Sequence, residues 1–170
     1  AGTAYQGIFK NPLVSPDLLG ATAGAGFGAA LAILLSGSYV TVQMSAFFFS
    51  LLAVACTYLI SQLVRKHDPI LILVLAGILV GTVFSSFISL IKYLADPTDK
   101  LPAITFWLMG GLTSIRTSDL LQMLVPVLIG MIPLYLLRWQ LNVMAFGDEE
   151  AQALGIETER LRLVVILCST

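Results

Sequence analysis

ILILVLAGILVGTVFSSFISLIKYL (70–94) contains a single charged side chain, Lys92, near its end. A helix of that length rises about 1.5 Å per residue and exceeds the roughly 30 Å of a bilayer's hydrocarbon core. The stretch therefore predicts a membrane-spanning helix. Three more runs of similar character flank it, at about 18–38, 42–64 and 117–138. A further apolar run begins near Leu161, and AGTAYQGIF at the start reads like the tail of another helix. The expected fold is all-α: a polytopic helical membrane protein with about four full spans. The helices at both ends read as cut from a longer protein.

Composition agrees. Hydrophobic residues make up 58% of the 170 and charged residues 11%, whereas soluble domains average about a quarter charged. The net charge of −1 gives no sign of nucleic-acid binding. Cys56 and Cys168 lie in apolar segments and read as small buried hydrophobes. His67, the only histidine, sits in the loop RKHDP (65–69) and reads as a solvated loop residue. There is no phosphate loop, nucleophile elbow, zinc motif or intramembrane acidic dyad, so neither catalysis nor a resident metal is expected.

Orientation follows from Lys and Arg in the connections. With residues 1–17 on the cytoplasmic side, Lys10, Arg65, Lys66, Arg138, Arg160 and Arg162 fall inside, and Lys92, Lys100 and Arg116 outside. No Asp, Glu, Lys, Arg or His lies in the middle of a span, which argues against a proton-coupled carrier.

Small and hydroxylated residues mark the faces that could pack or line a path. In the block NPLVSPDLLGATAGAGFGAALA (11–32), Pro12 and Pro16 forbid a regular helix. Ser15 reads as a helix cap and Asp17 suits the positive end of the helix dipole. Gly20, Gly24 and Gly28 then form a smooth ridge for close packing. In 70–94, Gly77, Gly81, Ser85 and Ser89 recur every four residues, with Thr82 and Ser86 beside them. Two readings stay open: helix packing with hydroxyls bonded back to carbonyls, or a face lining a translocation path. In PAITFWLMGGLTSIR (102–116), Ile104 to Met109 read as a short interfacial helix ended by Gly110 and Gly111. Pro126 and Pro133 predict kinks in 117–138.

One stretch does not belong in lipid. GDEEAQALGIETERLR (147–162) holds seven of the nineteen charged residues, which comprise nine basic and ten acidic. By itself it reads as a solvated, partly helical loop.

Four stretches in order, YQGIFKNPLVSPDLLGATAGAGFGA (5–29), LVLAGILVG (73–81), FWLMGGL (106–112) and GDEEAQALGIETERLRLVVIL (147–167), resemble the FecCD family. These are permeases of iron-chelate and cobalamin ABC importers, and the resemblance covers the whole chain. The NPL-x-x-P-x-x-LG and A-x-x-LG blocks are specific in combination. The resemblance implies a part of a permease with about ten helices, from the end of its second to the start of its seventh. It implies a multi-pass protein of a prokaryotic inner membrane. Its partners would be ATP-binding cassette subunits, a substrate-binding protein, a second permease subunit as a homodimer, and membrane lipid. No cofactor is expected on this chain; ATP and Mg would sit on the partner ATPase.

The resemblance also implies roles. Residues 143–162 would form a cytoplasmic coupling segment seated in the ATPase, with Gly147, Asp148, Glu149, Ala151, Leu154, Gly155 and Ile156 carrying the motif. Gly77, Gly81, Ser85, Ser86 and Ser89 would line the translocation path. Pro69, Ile70 and Leu71 would stand at a cytoplasmic gate, where some members have small hydroxyl residues. Phe106, Trp107, Met109 and Gly110 would belong to a short outer helix. The cargo would be a metal chelate of the iron-siderophore, haem or cobalamin type; the alternative is an oxyanion such as molybdate. A passive channel or secondary carrier leaves the A-x-x-LG insert unexplained, and a membrane enzyme lacks its intramembrane acids, bases or ligands.

Overall fold

A computed structural model describes residues 2–10, 15–64, 69–110 and 117–170. Nine α-helices and one 3₁₀ turn, Pro16–Leu19, make up the regular structure of these residues. They are α1 (Gly2–Phe9), α2 (Ala21–Leu34), α3 (Tyr39–Leu63), α4 (Pro69–Leu94), α5 (Lys100–Met109), α6 (Thr117–Leu136), α7 (Arg138–Met144), α8 (Asp148–Ala153) and α9 (Thr158–Ser169). Pro12, His67 and Gly111, with the basic residues Arg65, Lys66 and Arg116, lie outside the described residues. The chain divides into two compact units, one of residues 17–114 and one of residues 1–16 with 115–170.

In the first unit, α3 and α4 are long and apolar enough to cross a membrane. α2 is not, at fourteen residues, or about 21 Å of rise. The 18–38 stretch, expected as one span, is interrupted at Gly20, whose φ is +76°. α2 closes early in a Schellman turn. The Gly37 N–H donates to the Ala32 carbonyl (2.8 Å) and the Ser36 N–H to the Ile33 carbonyl (3.0 Å). Ser36 takes the left-handed position, φ +59°, and its hydroxyl accepts from Lys100 Nζ at 2.6 Å. Ser38 caps α3 by accepting from the Thr41 N–H at 3.3 Å.

The core of this unit is made by missing side chains. A Cβ on Gly24 would lie 2.7 Å from that of Ala53, and one on Gly28 would strike the Ser45 carbonyl. The two backbones run close enough for the Ser45 hydroxyl to donate to the Gly28 carbonyl at 2.7 Å. Phe27 fills the junction of three helices, 4.9 Å from Phe49, 5.5 Å from Phe84 and 5.7 Å from Phe87, centroid to centroid.

In the second unit, α6 continues through Pro126 and Pro133. The sharp bend, 62°, falls after Leu136 and leads into α7. The expected span 117–138 thus ends in a corner. α9 crosses α6 at Gly130, where a Cβ would strike the Cys168 carbonyl. α1 packs on α7 and α9, with Tyr5, Ile8 and Phe9 buried.

Candidate functional site

The sequence A-x-x-L-G-I (151–156) builds one object: the end of α8. The Ile156 N–H donates to the Ala151 carbonyl at 3.0 Å and the Gly155 N–H to the Gln152 carbonyl at 2.9 Å. This pair of bonds is a Schellman cap. It needs a residue in left-handed conformation, and Gly155 supplies φ +79°. The cap also brings Ala151 and Ile156 together, and both are buried. Leu154, between them in sequence, points away and is 62% exposed. Phe146, just before α8, is 83% exposed. Of the residues expected to couple, Ala151, Gly155 and Ile156 therefore shape the turn, while Leu154 is turned outward. Glu149 is exposed as well.

Asp148 faces the other way. Its Oδ2 accepts from Arg162 Nη2 at 3.0 Å. Lys10 Nζ lies 3.3 Å from its Oδ1. Burial by itself would push the carboxyl up, but the Arg162 and Lys10 charges outweigh burial and hold it below the usual carboxylate range. The Arg162 side chain is only 12% exposed, so its guanidinium depends on this pairing. One carboxylate thus ties the start of α8 to the end of α1 and the start of α9. By contrast, the exposed pair Arg160–Glu157 (2.8 Å) contributes little. In the sequence Asp148 is one of the motif residues and Lys10 and Arg162 bear on topology; residues this far apart in the chain give no local sign of pairing.

The face of α4 divides in two. Gly77 is buried, and a Cβ there would strike the Leu18 carbonyl. Gly81 lies against Gly20, whose own Cβ would come within 3.2 Å of the Gly81 nitrogen. These glycines seat the Leu18–Gly20 turn on α4. Ser85, Ser86 and Ser89 are exposed. The hydroxyls of Thr82, Ser86 and Ser89 donate to the carbonyls of Ile78 (2.8 Å), Thr82 (2.9 Å) and Ser85 (3.1 Å). The division has a geometric cause. A four-residue repeat advances about 400° per step at 100° per residue, so it winds by about 40° each time. Gly77 and Ser89 are then about 120° apart, on different faces.

α5 starts at Lys100, earlier than the sequence suggested, and ends at Gly110, φ +67°. Ile104 is buried with Ala30, Ile91 and Ala95. Trp107 packs on Ala29, Ala32, Val42 and Ala46. Phe106 and Met109 point outward. At the expected gate, Pro69 opens α4 and Leu71 is exposed; the side chains of Pro69 and Ile70 lie outside the described residues. Gly130 lets α9 touch α6. A lone glycine in an apolar helix is a usable sign of close backbone approach.

The sequence model of the FecCD transport family matches residues 1–170. The molybdate import system permease protein MolB of Haemophilus influenzae is 37% identical over 169 residues, covering 99% of this chain and 50% of that protein. A probable iron chelatin transport system permease protein of Helicobacter pylori is 34% identical over 168 residues, covering 99% and 50%. A solved structure, described as an inward-facing conformation of a putative metal-chelate type ABC transporter, superposes with a TM-score of 0.89. It is 38% identical, with 98% of this chain and 53% of that chain covered. The chain spans about half the length of the curated relatives it matches.

Proposed function

We propose that this chain, which belongs to the FecCD transport family, works as part of the permease of an ATP-driven importer in a prokaryotic cytoplasmic membrane. The permease passes a metal chelate of the iron-siderophore, haem or cobalamin type inward. Hydrolysis takes place on partner ATP-binding cassette subunits, which hold ATP and Mg; this chain carries no ATPase site of its own. A substrate-binding protein delivers the cargo from outside, and a second permease subunit completes the path within the lipid.

The observation that carries this reading is the build of α8. A six-residue helix is too short to be stable alone. Here it is capped at Gly155 and tied down at Asp148, while Leu154 and Phe146 are left exposed. Apolar side chains presented from a braced turn suit a groove in a partner protein. α9 follows directly and touches α6 at Gly130, so a push on α8 has a short route into an apolar helix.

The test is capture of the neighbouring ATPase by the complete permease, with residues 147–162 native or replaced by a Gly/Ser linker. Binding by the native protein and none by the replacement supports the reading. Equal binding, or none by either, withdraws it. An oxyanion cargo is the second reading, favoured by the 37% identity to a molybdate permease. Competition between labelled molybdate and a ferric chelate for uptake separates the two.

A further inference from the structure

We infer that Lys10, Asp148 and Arg162 form a positioning latch that makes α1 move with the coupling segment. The inference rests on the importer reading above.

Several contacts join α1 to its surroundings, among them a hydrogen bond of 3.4 Å between the Tyr5 and Thr170 hydroxyls. Tyr5, Ile8 and Phe9 are buried where α1 packs on α7 and α9. A Cβ at Gly7 would lie 3.9 Å from the Leu141 carbonyl, an ordinary contact distance. This packing sets α1 against α7 and α9. Lys10 Nζ, just past the end of α1, lies 3.3 Å from Asp148 Oδ1 at the start of α8, a part-exposed ion pair without a hydrogen bond to that oxygen. The other oxygen of the same carboxylate is held by Arg162 at 3.0 Å. Arg162 Nε is buried and has no hydrogen-bond partner, so loss of Asp148 would leave a nearly buried cation poorly compensated. Lys10 directly follows α1, Asp148 opens α8 and Arg162 lies in α9, and one carboxylate joins the three. When α8 shifts, α1 and α9 are drawn with it. Asp148 then acts behind the docking surface rather than on it, since Leu154 and Phe146 are the side chains turned outward.

The test uses the complete permease with its ATPase in lipid. Nitroxide labels at Thr3 and Ala153, both exposed, report the distance between α1 and α8 by pulsed electron resonance. Distances are read before and after trapping with ATP, Mg and vanadate. In the native protein one narrow distance is expected in both states. Lys10→Met should broaden the trapped distribution at least twofold while ATPase capture is retained, and Lys10→Arg should restore the narrow one. A trapped Lys10→Met distribution that matches the native one overturns the latch. If Lys10→Met does not assemble, the triple reversal Lys10→Glu, Asp148→Arg, Arg162→Glu decides: a narrow distance supports the latch and a broad one overturns it. If the native permease fails to capture the ATPase, the importer reading falls and the latch with it.

Discussion

Between α2 and α3 the backbones meet with only glycine hydrogens between them, and Ser45 reaches the Gly28 carbonyl at 2.7 Å. Between α1 and α8 the tie is an ion pair of 3.3 Å. The first contact suits lipid, where no water competes and close approach gains dispersion and weak polar bonds. It tolerates no added atom. The second suits the aqueous side, where charges stay solvated in part. A bundle built the first way is held by shape, and a knob held the second way is held by charge. That contrast is what the proposed role asks for: a bundle that keeps its shape and a charged segment that moves as one piece.

The contrast can be broken most severely at Gly28. Gly28→Leu would push a side chain into the Ser45 carbonyl and should cost about 3 kcal/mol or more, as overpacking at a backbone does. A large fall in thermal stability of the purified permease would be seen, with little folded protein; near-native stability would show that α2 and α3 can part. Next is Gly155→Val. A β-branched residue at φ +79° costs roughly 1–3 kcal/mol, and the loss should be local. ATPase capture should fall severalfold while membrane insertion stays native, and Gly155→Asn should be milder. Equal loss in Val and Asn variants would mean that the left-handed turn is not the cause.

Leu154→Asp sharpens the contrast further, because Leu154 is exposed and shapes nothing. Uptake should be uncoupled with stability unchanged; normal capture and uptake would remove the docking role. Ser85→Trp asks the same of α4. Its side chain is exposed, so stability should move by no more than about 0.5 kcal/mol while uptake is blocked. Unchanged uptake would take Ser85 out of the path.

The smallest effect is that of pH. The Asp148 carboxyl is held below its ordinary range, so its folded-state pKa is depressed. The stabilisation is present above the unfolded value of about 4 and is lost as pH falls through the folded value. Capture of the ATPase should therefore be flat from neutral pH to about 5. A midpoint near neutrality would point to another group.

Much of this was legible in the chain itself. Apolar runs such as 42–64 and 70–94 announce spanning helices because lipid demands internal backbone hydrogen bonding over a fixed thickness. The Ala151–Ile156 motif announces a glycine-capped turn, because the cap is local. The fate of the Gly77–Ser89 stripe was not legible, since a period of four looks like one face in a list of residues and winds around a helix in space. Nor was the partner of Asp148.

Sequence alone thus determined the two long apolar helices, α3 and α4, and the position of one charged segment. Each depends on hydrophobicity and conformational preference within a few residues. Tertiary structure alone decided which motif residues turn inward, that Gly77 seats the Leu18–Gly20 turn, and that Lys10 and Arg162 converge on one carboxylate. These outcomes depend on distances between residues remote in the chain. Only close packing and charge pairing in three dimensions set such distances.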